Sequence, residues 1–413
     1  MEERLIFHVD VNSAFLSWEA VRRIAQGQED IRLIPACIGG EPGRRTSVVL
    51  AKSIPARQYG IHTGEPMAMA LRKCPNLQVF PAGFRLYQKN SKAFKDICRQ
   101  FAPVVEEFSI DECFLDMSTM GRLYPDPVKA AHLLKERIRE ELGFTVNVGI
   151  GPNKLLAKMA GDFEKPDRVH TLFLEELPEK FWPLPVSRLL GVGKATALKC
   201  REAGIDTIGQ LAQQEHRVLQ RLVGNKLAQY LIGAANGRDE EPVLAEPEEA
   251  RGYSISTTLE QDVVTTEEAL LILHSLTDSV SAHLRSEGAK AGCVAVIIRS
   301  NDRKNHSRQR TLQEETDVTA ELYQTVAELF GALWDRQTPL RLLGVSLTHI
   351  SKEEFEQTSL FADEQKEKQR KVDQTMDALR ERFGMDAVVR GSVYGSSLQV
   401  GRKYRAKQEM KEG

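Results

Sequence analysis

The residues best suited to chemistry are three carboxylates that the sequence places in apolar surroundings. Asp10 closes an apolar run, and Asp111 and Glu112 stand side by side in a mostly apolar hairpin. Buried like charges raise each other's pKa and destabilise a site unless a cation compensates them. Hard oxygen ligands suit Mg²⁺, and two such ions can activate a hydroxyl and hold a transferring phosphoryl group. The alternative interpretation is a surface hairpin whose acidic side chains are solvated.

These acids must be positioned by strands and helices, which hydrophobic periodicity indicates. The predicted strands are 4–10, 104–110, 112–117 and 145–150, and the predicted helices are 15–24, 85–101 and 127–142. Along the chain, a strand and a long excursion precede a helix, two strands, a helix and a last strand. This order indicates a ferredoxin-like split β-α-β core with an insertion after its first strand, and therefore an α/β (α+β) fold.

Further regions follow this core. A helix-rich unit begins near residue 167 and contains Gly191-Val192-Gly193. Residues 239–249 contain six acidic residues and two prolines but no Lys or Arg, which is typical of a linker. Residues 251–350 alternate between predicted strands and helices, as in an α+β domain. The charged segment 353–413 is predicted to be a flexible tail with one helix. The apolar stripe of that helix consists of Val372, Met376, Leu379 and Phe383.

Composition excludes several classes of protein. The chain has 413 residues, of which 41% are hydrophobic and 28% charged, so disorder, collagen and coiled coil cannot describe the whole of it. No apolar run approaches the ~18 to 20 residues of a membrane span, and no basic leader precedes the first strand. We therefore expect a cytoplasmic protein without a membrane partner. The six cysteines are scattered and predicted to be reduced. The net charge of -2 excludes a uniformly cationic surface, although local patches remain possible.

Three separate motifs carry a resemblance to a known family. They run from His8 to Phe15, from Ser109 to Asp116 and from Gly149 to Lys158. In this order they resemble the Y-family translesion DNA polymerases, DNA polymerase IV branch, and the resemblance covers roughly residues 4–350. It implies the following domains: a palm (1–20 and 79–166), fingers (21–78), a thumb with a helix-hairpin-helix (167–238), an acidic linker (239–250), a little finger (251–352) and a tail (353–413).

The resemblance implies a catalytic centre with two Mg²⁺ ions, for which Mn²⁺ would be a possible substitute. Asp10, Asp111 and Glu112 then become the catalytic metal carboxylates, with the backbone carbonyl of Val11 as a further ligand. Asp10 and Asp111 would bridge both ions. Glu112 would hold the ion that lowers the pKa of the primer 3′-hydroxyl.

The resemblance also implies a site for the incoming dNTP. Phe15 takes the position of a steric gate, whose ring leaves no room for a ribose 2′-hydroxyl, although a helix-core aromatic is the alternative. Arg57 and Lys165 match the cations that bind the triphosphate. Ala14 and Ser53 complete the expected nucleotide site.

One residue in this region departs from the family pattern. The family commonly has a tyrosine three residues before the arginine, and this chain has Ile54, which cannot donate a hydrogen bond. Lys52 and Ser53 are the candidates to replace that donor.

Primer-template DNA is the implied macromolecular partner. Gly191-Val192-Gly193 resembles a helix-hairpin-helix, which binds a phosphate through backbone N–H groups, and a plain helical turn is the alternative. A P-loop is excluded because Arg188 stands where that motif requires glycine. Residues 299–310 carry five basic residues against Asp302 and are predicted to form a phosphate track, with a solvated face as the alternative. The predicted DNA contacts are Lys154, Lys158, Gly191, Gly193, Lys194, Arg303, Lys304, Arg308 and Arg310.

The tail contains a short peptide that resembles a sliding-clamp-binding motif. It consists of Gln357, a spacer, and the apolar pair Leu360 and Phe361. An exposed apolar pair among acidic residues has no core to join, which favours docking into a partner groove. We therefore expect the replication clamp as a partner of a monomeric protein.

Three functions can account for some or all of these residues. The leading hypothesis is a template-directed, Mg²⁺-dependent DNA polymerase for low-fidelity translesion synthesis, without a proofreading exonuclease. A nucleotidyl cyclase would share the palm and two metals but would need neither a helix-hairpin-helix nor a clamp peptide. A non-catalytic accessory protein would bind DNA and the clamp, but would not need Asp10, Asp111 and Glu112.

Overall fold

The computed structural model describes residues 4–41, 43–246, 248–352, 364–384 and 387–391. The chain divides into two compact units, the first made of Met1–Gly43 and Ser47–Pro247, the second of Arg44–Thr46 and Glu248–Gly413. Within the described residues, no helix is long and apolar enough to cross a bilayer.

The first unit contains eight strands and ten helices among its described residues. Its strands are β1 (Ile6–Val11), β2 (Ala36–Gly39), β3 (Val49–Lys52), β4 (Gln78–Pro81), β5 (Val104–Glu107), β6 (Glu112–Asp116), β7 (Val146–Gly151) and β8 (Val169–Thr171). Its helices are α1 (Ala14–Ala25), α2 (Ile54–Gln58), α3 (Met67–Lys73), α4 (Phe84–Cys98), α5 (Pro127–Leu142), α6 (Lys154–Gly161), α7 (Lys194–Glu202), α8 (Ile208–Ala212), α9 (His216–Val223) and α10 (Asn225–Ala235).

A five-stranded sheet in the order β5-β6-β1-β7-β8 positions the predicted carboxylates. Its central strand β1 is buried along its whole length and pairs antiparallel with β6 and β7. The predicted α/β fold is therefore confirmed. The predicted strand 104–110 ends already at Glu107, because the following residues form the turn into β6. Strand β8 belongs to the same sheet, which thus extends past the predicted palm boundary at residue 166.

Helix α5 shows how closely local sequence signals can fix an element. It runs from Pro127 to Leu142, as predicted. The Asp126 side chain accepts hydrogen bonds from the backbone N–H groups of Val128 and Lys129 and caps the first turn. At the other end, Gly143 has a left-handed conformation, which ends the helix.

Smaller layers complete the first unit. Strands β3, β2 and β4 form a three-stranded sheet, in which β4 pairs parallel with β2 and extends past the predicted end of the fingers at residue 78. Helices α7 to α10 share an apolar cluster with residues of α6 such as Leu156 and Met159. Ala36 and Ile38 of β2 belong to the core of the five-stranded sheet, so the layers of this unit share parts of their cores.

The second unit is an α+β domain followed by a helix. Its strands are β9 (Gly252–Val263), β10 (Lys290–Ser300), β11 (Asn305–Thr316) and β12 (Leu340–Ser351), and its helices are α11 (Thr266–Ser286), α12 (Thr319–Leu333) and α13 (Glu364–Phe383). The antiparallel sheet has the order β11-β10-β12-β9. Apolar residues of α11 and α12 pack with those of the sheet in one buried core.

The predicted tail helix exists as α13, but its apolar stripe does not pack inward. Val372 is 54% exposed and Phe383 is 61% exposed. Asp373 and Arg380 are buried instead, at 2% and 3% exposure. The prediction of a flexible tail is therefore wrong for α13, which ion pairs attach to this unit. The predicted clamp peptide, Gln357–Phe361, lies outside the described residues.

Candidate active site

The turn between β5 and β6 presents Asp111 and Glu112. Backbone N–H groups of Phe108 and Ser109 donate to the Glu112 carbonyl at 3.2 and 3.1 Å. The Ser109 hydroxyl accepts from the backbone N–H of Glu112 at 3.0 Å and donates to the Asp111 carboxylate at 2.7 Å. One serine side chain thus organises the turn and orients the first of its two acids.

Strand pairing brings the third acid to the same place. Asp10 in β1 is the direct cross-strand partner of Glu112 in β6. The backbone N–H of Val11 donates to the Asp111 carbonyl at 3.0 Å. Opposite residues on antiparallel strands have neighbouring side chains, so two segments about a hundred residues apart supply one acidic site.

Asp10 is the most buried of the three acids, at 7% exposure. Burial raises the pKa of Asp10, and the nearby Glu112 charge raises it further, while Lys165 acts in the opposite direction. The Lys165 ammonium donates to the Asp10 carboxylate and also pairs with Asp162 at 2.8 Å. Because the pKa of Asp10 stays above its usual value, this single ammonium does not fully compensate the buried carboxylate.

Glu112 has two basic neighbours. The Lys158 ammonium lies 2.6 Å from its carboxylate, and the fully buried His8 ring nitrogen lies 3.6 Å away. Burial opposes ionisation of Glu112, but His8 and Lys158 outweigh it and lower its pKa to about 2. Glu112 is therefore an anion at neutral pH.

The residues fit a divalent cation, although they do not form a closed metal cage. Within the described ranges, no three His, Cys, Asp or Glu side chains stand close enough together to hold a metal ion. Lysine ammonium groups instead contact Asp10 and Glu112. The donor set consists of hard oxygen atoms from neighbouring strands, and Asp10 is incompletely compensated, which is the chemistry that a divalent cation requires. Displacement of the two ammonium groups would free these oxygens.

The predicted gate residue stands at the start of α1. Ala14 is buried, whereas Phe15 is partly exposed. The Phe15 ring stacks on Tyr87, with ring centroids 4.6 Å apart and planes inclined by 9°. Phe15 thus combines a packed face with an exposed one, so the core-aromatic and gate interpretations are compatible.

The predicted triphosphate contacts in the fingers differ in availability. Arg57 is exposed on α2. Ser53 is 2% exposed, and its hydroxyl accepts from the backbone N–H groups of Ala36 and Ala56 and donates to the Ile34 carbonyl at 2.7 Å.

The Ser53 hydroxyl therefore caps α2 and ties it to β2, which argues against the predicted nucleotide contact. Lys52 stays a candidate replacement for the missing tyrosine. Its ammonium lies 3.2 Å from the Thr63 hydroxyl near the surface.

The two predicted DNA contacts on α6 face inward. Lys154 is 8% exposed, and its ammonium contacts Glu106 at 2.7 and 2.8 Å. Lys158 contacts Glu112, as described above. The ion pair with Glu106 occupies the Lys154 ammonium and argues against its predicted phosphate contact, whereas Lys158 is paired with a predicted metal ligand.

The predicted hairpin in the thumb has suitable backbone geometry. Gly191 has a positive φ of 87°, and a Cβ there would lie 2.7 Å from the Tyr230 ring. Gly193 is exposed and precedes α7, whose first residue is the exposed Lys194. The turn therefore requires glycine at 191 and leaves its polar groups accessible.

Strand register separates the basic residues of the little finger. Arg308 and Arg310 lie opposite the buried Val296 and Val294, so all four side chains point to the helix-covered face. The Arg310 guanidinium pairs with Glu328 of α12.

Arg303 and Lys304 instead occupy the exposed turn between β10 and β11, where Lys304 pairs with Asp302 at 2.8 Å. The predicted phosphate track therefore has two parts, and the turn, unlike Arg308 and Arg310, lies clear of the helices.

Sequence reasoning missed two buried amides near Lys165. Asn147 is fully buried, and its side-chain oxygen accepts from the Asn12 amide at 3.0 Å. Asn147 also donates to the Glu164 carbonyl at 2.7 Å. The available signal was a polar side chain in the middle of the apolar strand β7.

Comparisons with known proteins identify the family of this chain. Residues 9–162 match the impB/mucB/samB family, and residues 250–360 match the C-terminal domain of that family. DNA polymerase IV from Clostridium acetobutylicum is 40% identical over 391 residues, which cover 94% of this chain and 97% of the relative. DNA polymerase IV 1 from Bacillus subtilis is 34% identical over 396 residues, which cover 95% of this chain and 93% of the relative.

A solved structure also matches this chain. A Y-family DNA polymerase chimera superposes with a TM-score of 0.74 at 22% identity, covering 84% of this chain and 100% of the chimera. At that identity the structural match shows the fold alone.

Proposed function

Because the chain belongs to the impB/mucB/samB family, as a Y-family DNA polymerase of the DNA polymerase IV branch, we propose the following assignment of its activity to its residues. The protein is a DNA-directed DNA polymerase of translesion synthesis, which adds nucleotides from dNTPs to a primer 3′-hydroxyl on a DNA template. The accessory and cyclase alternatives are not favoured, since the likeness to DNA polymerase IV extends over 94% of the chain.

One observation carries the catalytic assignment. The register of β1 and β6 sets Asp10 against Glu112, beside a turn that orients Asp111. The pKa of Asp10 stays above its usual value although Lys165 contacts it, so positive charge does not fully compensate this carboxylate.

The family requires a divalent metal, and we assign two Mg²⁺ ions, replaceable by Mn²⁺, to Asp10, Asp111, Glu112 and the Val11 carbonyl. When bound, the ions supply activation of the primer 3′-hydroxyl and neutralisation of the triphosphate. In the absence of metal, Lys165 pairs with Asp10 and Lys158 pairs with Glu112, so that neither carboxylate lacks a basic partner. The Lys165 ammonium is the cation that would bind phosphate oxygens of the incoming nucleotide.

The other contacts to the incoming nucleotide are assigned mainly from the exposure of the Arg57 and Phe15 side chains. Arg57 presents a guanidinium fork to the triphosphate. Phe15 offers its exposed ring face to the sugar and excludes a 2′-hydroxyl. Ala14 precedes it at the start of α1, where a small side chain leaves room.

Primer-template DNA is bound by phosphate contacts without sequence reading. We assign these contacts to Gly191, Gly193 and Lys194 in the thumb and to Arg303 and Lys304 in the little finger. Docking of Gln357, Leu360 and Phe361 on the sliding clamp, a monomeric state, a cytoplasmic location and the lack of proofreading belong to the same proposal.

A primer-extension assay tests the function. The protein with Mg²⁺ and each dNTP in turn should extend a primer opposite the complementary template base. Extension should be lost when the metal or the template is omitted. Extension without a template, or none under any divalent metal, would contradict the proposal.

A further inference from the structure

A buried amide pair holds both flanks of the segment that carries Lys165. On one flank, the Asn147 side-chain N–H₂ donates to the carbonyls of Gly161 at 3.1 Å and Glu164 at 2.7 Å. On the other flank, the backbone N–H of Arg168 donates to the Asn147 side-chain oxygen at 3.2 Å. Asn147 therefore fixes the chain just before and just after Lys165.

Asn12 extends this arrangement to the catalytic strand. Its side-chain N–H₂ donates to the Asn147 oxygen at 3.0 Å, and its own oxygen accepts from the backbone N–H of Asp167 at 2.9 Å. Asn12 follows directly on β1, which ends with Asp10 and Val11. The two amides thus join the strand of the catalytic acid to the segment of the nucleotide-binding cation.

The environment makes this link rigid. Asn147 is 0% exposed and Asn12 is 8% exposed. Asn147 uses two donor and two acceptor positions, so its full hydrogen-bonding capacity is satisfied. A fully satisfied buried polar network specifies one local geometry, because every departure leaves a polar group unpaired.

We propose that Asn147, acting with Asn12, is a positioning residue for the incoming nucleotide: it sets the reach of the Lys165 ammonium between Asp10 and the triphosphate. This inference rests on the proposed nucleotide-binding role of Lys165. Asn147 itself touches no substrate. Its effect passes through the segment 164–168, whose position determines where the ammonium lies.

The test measures dNTP binding in single-turnover insertion on a primer-template. Asn147→Ser replaces the carboxamide with a shorter hydroxyl that cannot reach both flanks, so we expect the apparent dNTP dissociation constant to rise about tenfold. Lys165→Met alone should raise it at least as much. The double variant should resemble Lys165→Met alone, because Asn147 acts through Lys165 and the two effects are not additive.

Asn236→Ser provides a matched control for a merely structural loss. The Asn236 amide donates to the carbonyls of Ala212 and Ile232 at the end of α10, away from the Lys165 segment. We expect this variant to lower the melting temperature without changing the dNTP dissociation constant. If Asn147→Ser does not fold, Asn12→Ser replaces it with the same expectation.

The outcomes separate the two proposals. An unchanged dNTP dissociation constant in Asn147→Ser, while Lys165→Met raises it, would overturn the positioning role. So would fully additive effects in the double variant. If Lys165→Met itself leaves nucleotide binding unchanged, the proposed role of Lys165 fails first, and the inference fails with it.

Discussion

Buried charges in the two compact units differ in how completely they are compensated. In the first unit, Asp10 has Lys165 as its basic hydrogen-bond partner among the described residues, and its pKa is raised by burial and by Glu112. In the second unit, the Asp278 carboxylate accepts from Arg380 and Arg390 at 2.8 Å each. Burial opposes ionisation of Asp278, but the two guanidinium groups outweigh it and lower its pKa.

In the second unit, both oxygens of the buried Asp278 and Asp373 carboxylates are paired, although Arg285 Nη2 and Arg380 Nη1 are buried without a hydrogen-bond partner. Asp373, at 2% exposure, accepts from the backbone N–H of Thr319 at 2.8 Å and pairs with Arg285 and Arg390. Guanidinium forks match carboxylates with fixed geometry, and all these groups bridge α13 to the helices beside it. The charges take the place of the apolar contacts that an amphipathic helix normally makes.

This difference separates a structural ion network from a site that awaits a ligand. A buried carboxylate that is fully paired stabilises one arrangement, whereas one that is left under-compensated retains affinity for a further cation. Lysine also suits the open site, because its single ammonium on a flexible stem moves more readily than an arginine fork.

Removal of the acids from the turn should have the largest effect. For Asp111→Ala with Glu112→Ala, we expect nucleotide incorporation to fall by at least about 10³-fold, because residues that act as a unit fail together. Primer-template binding should persist, since the assigned phosphate contacts lie on other elements. Single-turnover insertion and fluorescence anisotropy measure the two properties. Incorporation near the wild-type rate would contradict the metal-site assignment.

Breaking the ion network of the second unit should lower the free energy of unfolding instead of the activity. Asp278→Asn leaves the buried Arg380 guanidinium without its carboxylate, so the free energy of unfolding of the second unit should fall by about 3 to 5 kcal/mol. Chemical denaturation measures this loss. A matched exposed change, Asp335→Asn, should alter stability much less. A stability loss below that of Asp335→Asn would show that the ion network does not attach α13.

The predicted gate residue Phe15 tests how the catalytic site selects the sugar of the incoming nucleotide. Phe15→Ala should raise ribonucleotide insertion relative to the matching dNTP by about 100-fold, because the ring no longer excludes the 2′-hydroxyl. The ratio of insertion efficiencies for rATP and dATP measures this. An unchanged ratio would return Phe15 to a purely packing role beside Tyr87.

The smallest effect concerns DNA binding, where the turn and the strand of the little finger can be compared. Neutralising Arg303 and Lys304 should flatten the slope of log K against log salt by up to ~2 units. Neutralising Arg308 and Arg310 should flatten it less, because both lie on the helix-covered face. An equal change of slope for both pairs would mean that strand register does not determine which basic side chains contact phosphate.

The sequence was sufficient for elements whose signals are local. Helix α5 begins at Pro127 and ends at Leu142, as predicted, and the three acids could be recognised from their motifs. Long-range pairing was not accessible, because nothing in the sequence showed that Lys154 and Lys158 lie on Glu106 and Glu112. The packing of α13 through Asp373 and Arg380 inverts the usual amphipathic rule, so hydrophobic periodicity predicted the helix but not its buried face.

The open site and the ion network of the second unit make opposite predictions for stability against pH. Asp10 has a raised pKa in the folded state, so its charge opposes folding above the ordinary carboxyl pKa, and this cost disappears as the pH falls below that value. Asp278 has a lowered pKa, so its contribution to stability is present above the ordinary carboxyl pKa and is lost as the pH falls through the folded-state value.

The most direct test compares Asp10→Asn and Asp278→Asn by thermal unfolding between pH 4 and pH 7 in the presence of a metal chelator. At neutral pH, Asp10→Asn should match or exceed the wild-type melting temperature of the first unit, since Lys165 keeps Asp162 as a partner. Asp278→Asn should lower that of the second unit by the same amount across this range, because the lowered pKa of Asp278 lies below it, whereas the Asp10→Asn difference should shrink towards acid pH. A large loss of stability in Asp10→Asn would show that the catalytic carboxylate is an ordinary structural ion pair and would contradict the account.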